Sequence, residues 1–170
     1  MKPNFLKKLN CLEIPTCLRV CCGNDGSVTF LLELMTRSPV KVLTEAQCIR
    51  RASRQEAVLL EIEEGSKLNF RKVRLYAGDT LFAQAKSLSP LERMPPSMQE
   101  ELMRAEIPIG KILREHALET RRDMGELKVL KEKTSFGSTP VLSRTYKIIH
   151  KNNVLMWIKE EFPIDERWEL

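Results

Sequence analysis

Arg71 and Glu160 are the residues whose types and positions could do chemistry. Successive residues of a β-strand point to opposite faces, so an extended segment separates into two interleaved sets. In 154–162 one set is Val154, Met156, Ile158, Glu160 and Phe162, and the other is Leu155, Trp157, Lys159 and Glu161. Glu160 interrupts an otherwise apolar set. In 68–76, Arg71 falls in phase with Val73 and Leu75. An ionised group taken out of water needs a counter-charge, a neutral protonation state or a polar ligand. A guanidinium and a carboxylate on one enclosed apolar surface suit a small ligand with an anionic end and a hydroxyl end.

Two structural readings compete with that one. Arg71 faces solvent if the set holding Phe70, Lys72, Arg74 and Tyr76 is the buried one. Glu160 pairs with Arg144 if a three-residue turn at 151–153 sets them opposite each other, whereas a two-residue turn sets Arg144 against Glu161. Register decides between these outcomes.

Other chemistries find less support. Four of the five cysteines (Cys11, Cys17, Cys21, Cys22) fall within twelve positions, yet no C-x-x-C element occurs, so reduced thiols packing as small hydrophobes are expected rather than a metal centre. His116 and His150 are the only histidines, and no G-x-S-x-G elbow is present, which argues against a Ser-His-Asp hydrolase. Arg121, Arg122, Asp123 and Glu126 read as an exposed, solvated stretch. The formal net charge of +5 is spread among acids, as in Glu100, Glu101, Arg104 and Lys111, so no basic face for nucleic acid is expected. Such a surplus suits the steering of small anions.

The elements that must position Arg71 and Glu160 are short. Val28, Leu31, Leu32 and Met35 form one helical stripe, capped by Asp25 or Ser27. Residues 40–49 read as extended. The runs 68–76 and 81–88 form a hairpin around Ala77-Gly78-Asp79-Thr80. Ser97 and Glu100 have capping-box spacing and open a helix through Met103. After Ile107-Pro108-Ile109-Gly110 comes a second short helix, 111–115. A strand over 118–130 bends at Gly125, and 142–150 with 154–162 make the last hairpin. Hairpins with a few short helices, and no regular strand–helix alternation, indicate an α+β fold with an antiparallel sheet. The 170 residues fit a single domain, with 1–24 as a cysteine-rich N-terminal extension. No run of about 18 apolar residues and no signal-peptide core appear, so a cytoplasmic location without membrane contact is expected.

Arg71 followed by Ala77-Gly78-Asp79, Ala85-Lys86 and Pro90, then Ile107-Pro108-Ile109-Gly110, then Arg144 and Glu160-Glu161-Phe162-Pro163, resembles the chorismate pyruvate-lyase (4-hydroxybenzoate synthase) superfamily, in its short, archaeal-type branch. Met35-Thr36 resembles a further family element, and the likeness runs over about 26–163. It implies a single antiparallel sheet flanked by helices, with the ligand enclosed beneath helical flaps. It also implies a carbon–oxygen lyase that removes pyruvate from chorismate, or from a close cyclohexadiene carboxylate, to leave 4-hydroxybenzoate. No metal or organic cofactor is implied, because aromatisation drives the reaction.

Carried onto this sequence, the resemblance assigns Arg71 to the ring carboxylate and Glu160 to the ring hydroxyl beside the departing proton. Met35 and Ile109 fall at pocket-lining positions, and Gly110 allows close approach. Lys86 stands where better-known members have arginine, so its grip on a carboxylate loses the planar fork. Glu161 is a substitute for Glu160 if the alignment shifts by one. The implied partner is a small anionic aromatic or cyclohexadiene carboxylate. Effector-sensing domains of some transcription regulators resemble the same fold and bind small ligands without chemistry. They normally follow a DNA-binding helix-turn-helix, for which residues 1–24 are too short.

Overall fold

In the computed structural model, which describes residues 3–104, 107–132 and 134–170, six strands form one antiparallel sheet. They are β1 (Val40–Arg51), β2 (Lys67–Ala77), β3 (Thr80–Pro90), β4 (Arg121–Leu130), β5 (Val141–His150) and β6 (Asn153–Pro163), in the spatial order β1-β2-β3-β6-β5-β4. The helices are α1 (Pro3–Asn10), α2 (Thr16–Gly23), α3 (Val28–Thr36), α4 (Arg54–Leu60), α5 (Pro96–Met103) and α6 (Ile109–Glu115). The expected α+β class and antiparallel sheet are what the chain forms. No helix among the described residues is long and apolar enough to cross a membrane.

The main core lies on one face of the sheet. Val73 and Leu75 of β2, Ile158 and Phe162 of β6 and Ile148 of β5 pack there beneath Leu18, Leu32, Met98, Leu102 and Ile112 from the helices. The opposite face carries a smaller cluster, in which Leu60 of α4 meets Leu68, Leu88 and Val154. Residues 3–24, expected to be an extension, form two helices whose Phe5, Leu9, Leu18, Cys21 and Cys22 belong to the main core. The cysteines are free thiols, and burial pushes Cys22 up to about 12. Cys21 and Cys22 pack there as small hydrophobes, with Cys17 partly buried beside them, whereas Cys11 is exposed, against the expectation for it.

Local signals explain most element ends. Ser27 caps α3, its hydroxyl accepting from the Phe30 amide at 3.3 Å. The expected Ser97–Glu100 capping box does not form. α5 instead starts two residues earlier, with Pro95 as N-cap and Pro96 first, whose missing N–H costs nothing in a first turn. A capping box does form at the start of α4, where Ser53 and Glu56 cap each other's backbone amides. Neither α4 nor this box was expected.

Arg50 also grips Glu56, with contacts of 2.5 and 2.7 Å. Those bonds, with help from Ser53, hold the carboxyl at about 2, against an ordinary value of 4.5. Because the folded value is depressed, the stability it supplies is complete above pH 4.5 and is lost as pH falls toward 2. Glu56→Gln is therefore expected to cost about 1 kcal/mol near neutrality. In urea titrations the gap to wild type should close as pH drops through that window. A gap that stays constant down to pH ~2.5 would show that the charge is not what stabilises the start of α4.

Two irregularities set the register around the site. β5 and β6 are joined by a two-residue turn, Lys151-Asn152, both residues having positive φ, rather than by the expected 151–153 loop. Counting from the His150–Asn153 pair, an unbroken ladder would set Arg144 against Lys159. A bulge at Leu155, between the Ile148–Met156 and Ile149–Val154 pairs, moves the register by one and sets Arg144 opposite Glu160. The β4–β5 pairing also shifts between Met124 and Leu127, where Gly125 lies so close to Thr145 that a Cβ would sit 2.7 Å from its hydroxyl. This is the bend expected at Gly125.

Candidate functional site

Adjacent rows across the sheet bring the two singled-out charges to one place. Arg71 of β2 pairs with Ser87 of β3, which pairs with Ile158 of β6. One row along, Val73 pairs with Ala85, and Ala85 with Glu160. Arg71 and Glu160 therefore share a face, two strands and one row apart, a backbone separation of roughly 12 Å from strand spacing and rise. The small side chains of Ala85 and Ser87 lie between them and leave the space open.

That space is a cavity of about 70 Å³, whose wall includes Arg71, Glu160, Tyr146, Arg122, Ile109 and Gly110. A single water needs about 10–15 Å³ by the same measure, so the cavity holds more than one. The first turn of α3 and the start of α6 complete the wall, and Gly110 lies at their seam, where an added Cβ would sit 3.2 Å from the Ser27 hydroxyl, a tight approach.

Arg71 is 2 % exposed, and its Nη1 donates to the Ile107 carbonyl at 3.0 Å. Burial pulls its guanidinium down to about 10, so an anion brought to it would relieve a desolvation penalty. Glu160, 5 % exposed, is held by two donors. Arg144 Nε reaches Oε2 at 2.7 Å, and the Tyr146 hydroxyl donates to Oε1 at 3.0 Å. Arg144 is fully buried and anchored in turn by the carbonyls of Cys22 and Asn24, at 2.6 and 2.7 Å. Burial and the neighbouring Glu160 both push the Tyr146 phenol well above its usual range, so it stays a hydrogen-bond donor. The expected Arg144–Glu160 pair and the cavity-facing Glu160 thus coexist. A carboxylate gripped on two sides still offers lone pairs to a third donor in the cavity.

A family model described as chorismate pyruvate-lyase Rv2949c-like matches residues 23–169. The chain belongs to that family. A Methanocaldococcus jannaschii protein named "Putative lyase MJ0807" is 34% identical over 159 residues, covering 86% of this chain and 77% of its own. Among solved structures, PhnF from Mycobacterium smegmatis aligns with a TM-score of 0.65 at 13% identity over 83% of this chain, which spans 65% of that one. The effector domain of PhnF alone gives the same score and identity, covering 81% of this chain and 88% of the domain. The C-terminal domain of the histidine utilization repressor from Pseudomonas syringae gives a TM-score of 0.58 at 10% identity, with 73% and 91% covered. Likeness at these identities establishes the fold.

The positions that the resemblance singles out divide in two. Arg71, Glu160, Ile109 and Gly110 all border the cavity. Lys86 does not. Ala85 and Ser87 point into the cavity, so the residue between them must point away, and its Nζ lies 5.4 Å from the centre of the Phe70 ring on the other face. Lys86 cannot hold a ligand carboxylate in this cavity. Glu161 is likewise on the other side, paired with Lys159 at 2.6 Å. Met35 sits in the last turn of α3, whereas that helix meets the cavity through its first turn, about 10 Å away along the axis. Met35 packs against the core instead.

Three residues at the site were not singled out for it. Arg144, Tyr146 and Ile148 alternate in phase, so strand parity could have marked Tyr146 as a second polar group on the apolar face. Arg144 was expected only as a structural partner. Arg122 was expected in solvent, and the mixed pattern of β4 carries no signal that it turns inward.

Proposed function

We propose that the chain is a cofactor-independent lyase that eliminates pyruvate from chorismate, or from a close cyclohexadiene carboxylate, to give 4-hydroxybenzoate. The observation that carries this reading is the facing of Arg71 and Glu160 into one cavity on opposite sides of Ala85 and Ser87. Arg71 holds the ring carboxylate through charge-assisted bonds. Glu160, fixed by Arg144 and Tyr146, accepts the ring hydroxyl and stands beside the carbon that must lose its proton. The ring C–O bond breaks, its electron pair stays with the ether oxygen, and loss of the neighbouring ring proton restores aromaticity. The departing enol takes up a proton and becomes pyruvate. Aromatisation supplies the driving force. The apolar wall of Val73, Leu75 and Ile158 excludes water from the reacting ring.

The second reading is a non-catalytic sensor or carrier of an aromatic acid. It is favoured by the likeness of the fold to the PhnF effector domain. Purified protein mixed with chorismate separates the two. Equimolar 4-hydroxybenzoate and pyruvate, formed catalytically and followed by absorbance and by coupled reduction of pyruvate, is the expected result. Tight binding of 4-hydroxybenzoate without any turnover of chorismate would sink the lyase and leave the sensor.

A further inference from the structure

Arg122 is a cavity cation outside the family-matched positions. It borders the cavity and also a shallower depression of about 420 Å³, and Gly26, Ser27 and Gly110 are common to both. Arg122 therefore stands where the enclosed space meets the open one. Its Nη1 donates to the Asp25 carbonyl at 2.7 Å, and its guanidinium lies 5.7 Å from the centre of the Tyr146 ring. Nε is buried and has no partner among the described residues. No carboxylate there pairs with Arg122, and Asp123 is taken by Arg121 instead. A guanidinium held by one carbonyl and one aromatic face, with a buried donor left over, is oriented to receive an anion.

Its place in the cavity says which anion. Arg122 stacks on Tyr146, and Tyr146 donates to Glu160, so Arg122 belongs to the Glu160 end. The Arg144 charge at that end is already matched by Glu160. In chorismate the ring hydroxyl and the enolpyruvyl ether stand on adjacent carbons. A ligand whose hydroxyl meets Glu160 thus carries its second carboxylate toward Arg122.

We propose that Arg122 is a specificity-determining residue that holds this second carboxylate, so that the site selects dicarboxylates over monocarboxylates. The proposal rests on the lyase reading above. Arg122 grips the carboxylate of the three-carbon fragment before and after the C–O bond breaks, and keeps the departing acid at the opening.

The test is calorimetric titration with two stable probes, 4-hydroxybenzoate and 3-carboxymethoxy-4-hydroxybenzoate. The second adds an ether acid beside the hydroxyl and cannot eliminate. Arg122→Gln is expected to weaken the dicarboxylate about tenfold or more, the scale of one charged hydrogen bond, while 4-hydroxybenzoate changes less than about threefold. Arg122→Lys, which keeps the charge, should recover part of the loss. Normal binding of 4-hydroxybenzoate by the glutamine variant also shows that it is folded. If wild type binds both probes and the variant loses neither, or loses both equally, the role of Arg122 is overturned while the lyase reading stands. If wild type binds neither probe, both fall together.

Discussion

Arg71→Ala is expected to abolish measurable turnover of chorismate while leaving the protein folded. The side chain is buried in the cavity wall and presents a charge that burial already disfavours. Two charge-assisted hydrogen bonds to the substrate carboxylate are worth about 3–6 kcal/mol together, so kcat/KM should fall by roughly 10²–10⁴. The fold should survive, because removing the cation removes its desolvation cost along with its bonds to the Ile107 carbonyl and the Thr44 hydroxyl. Steady-state kinetics beside a thermal melt would check both halves. Wild-type kcat/KM in the variant would exclude Arg71 from the mechanism.

Arg144→Ala is expected to do the opposite. Arg144 is as deeply buried as Arg71, but its Nε is committed to Glu160 and its Nη1 to two backbone carbonyls that tie α2 and the residues after it to the sheet. Alanine would leave Glu160 buried without its counter-charge and two carbonyls without a donor. Breaking a buried pair from one side costs about 3–5 kcal/mol. For a domain of this size that corresponds to a melting point lower by about 10 °C. Activity would then disappear because the fold is weakened, not because a ligand contact is lost. A variant that melts within ~2 °C of wild type would show that the Arg144–Glu160 pair is not what holds this corner together. The two arginines share one apolar surface, and the paired variants separate ligand binding from scaffolding.

The candidate site was partly legible in the sequence. Strand parity marked Arg71 and Glu160 as charges on apolar faces, and both turn inward to the same cavity. The helical stripe from Val28 to Met35, both hairpins and the bend at Gly125 were also readable, since each follows from a local period or from turn chemistry. Lys86 shows where matching positions by motif fell short. Register pairs it with Lys72 and so puts it on the wrong face, a fact that alternation along β3 contains but order along the chain does not. The Ser97–Glu100 spacing misled for a related reason, because Pro96 offered a competing helix start.

What the sequence by itself determined was the parity of each strand, and with it which charges had to be explained, because side-chain direction is fixed by covalent geometry every second residue. Which partner each charge would meet was decided only in three dimensions. The bulge at Leu155 moved β6 by one residue and gave Glu160 its arginine, and the shift after Met124 lies beside Arg122 on the strand that brings it to the cavity. The helices α1 and α2 carried Cys21 and Cys22 into the core and supplied the carbonyls that anchor Arg144. A single extra residue in a ladder changes every pairing beyond it, and here it also turns Val154 to the face opposite Met156 and Ile158.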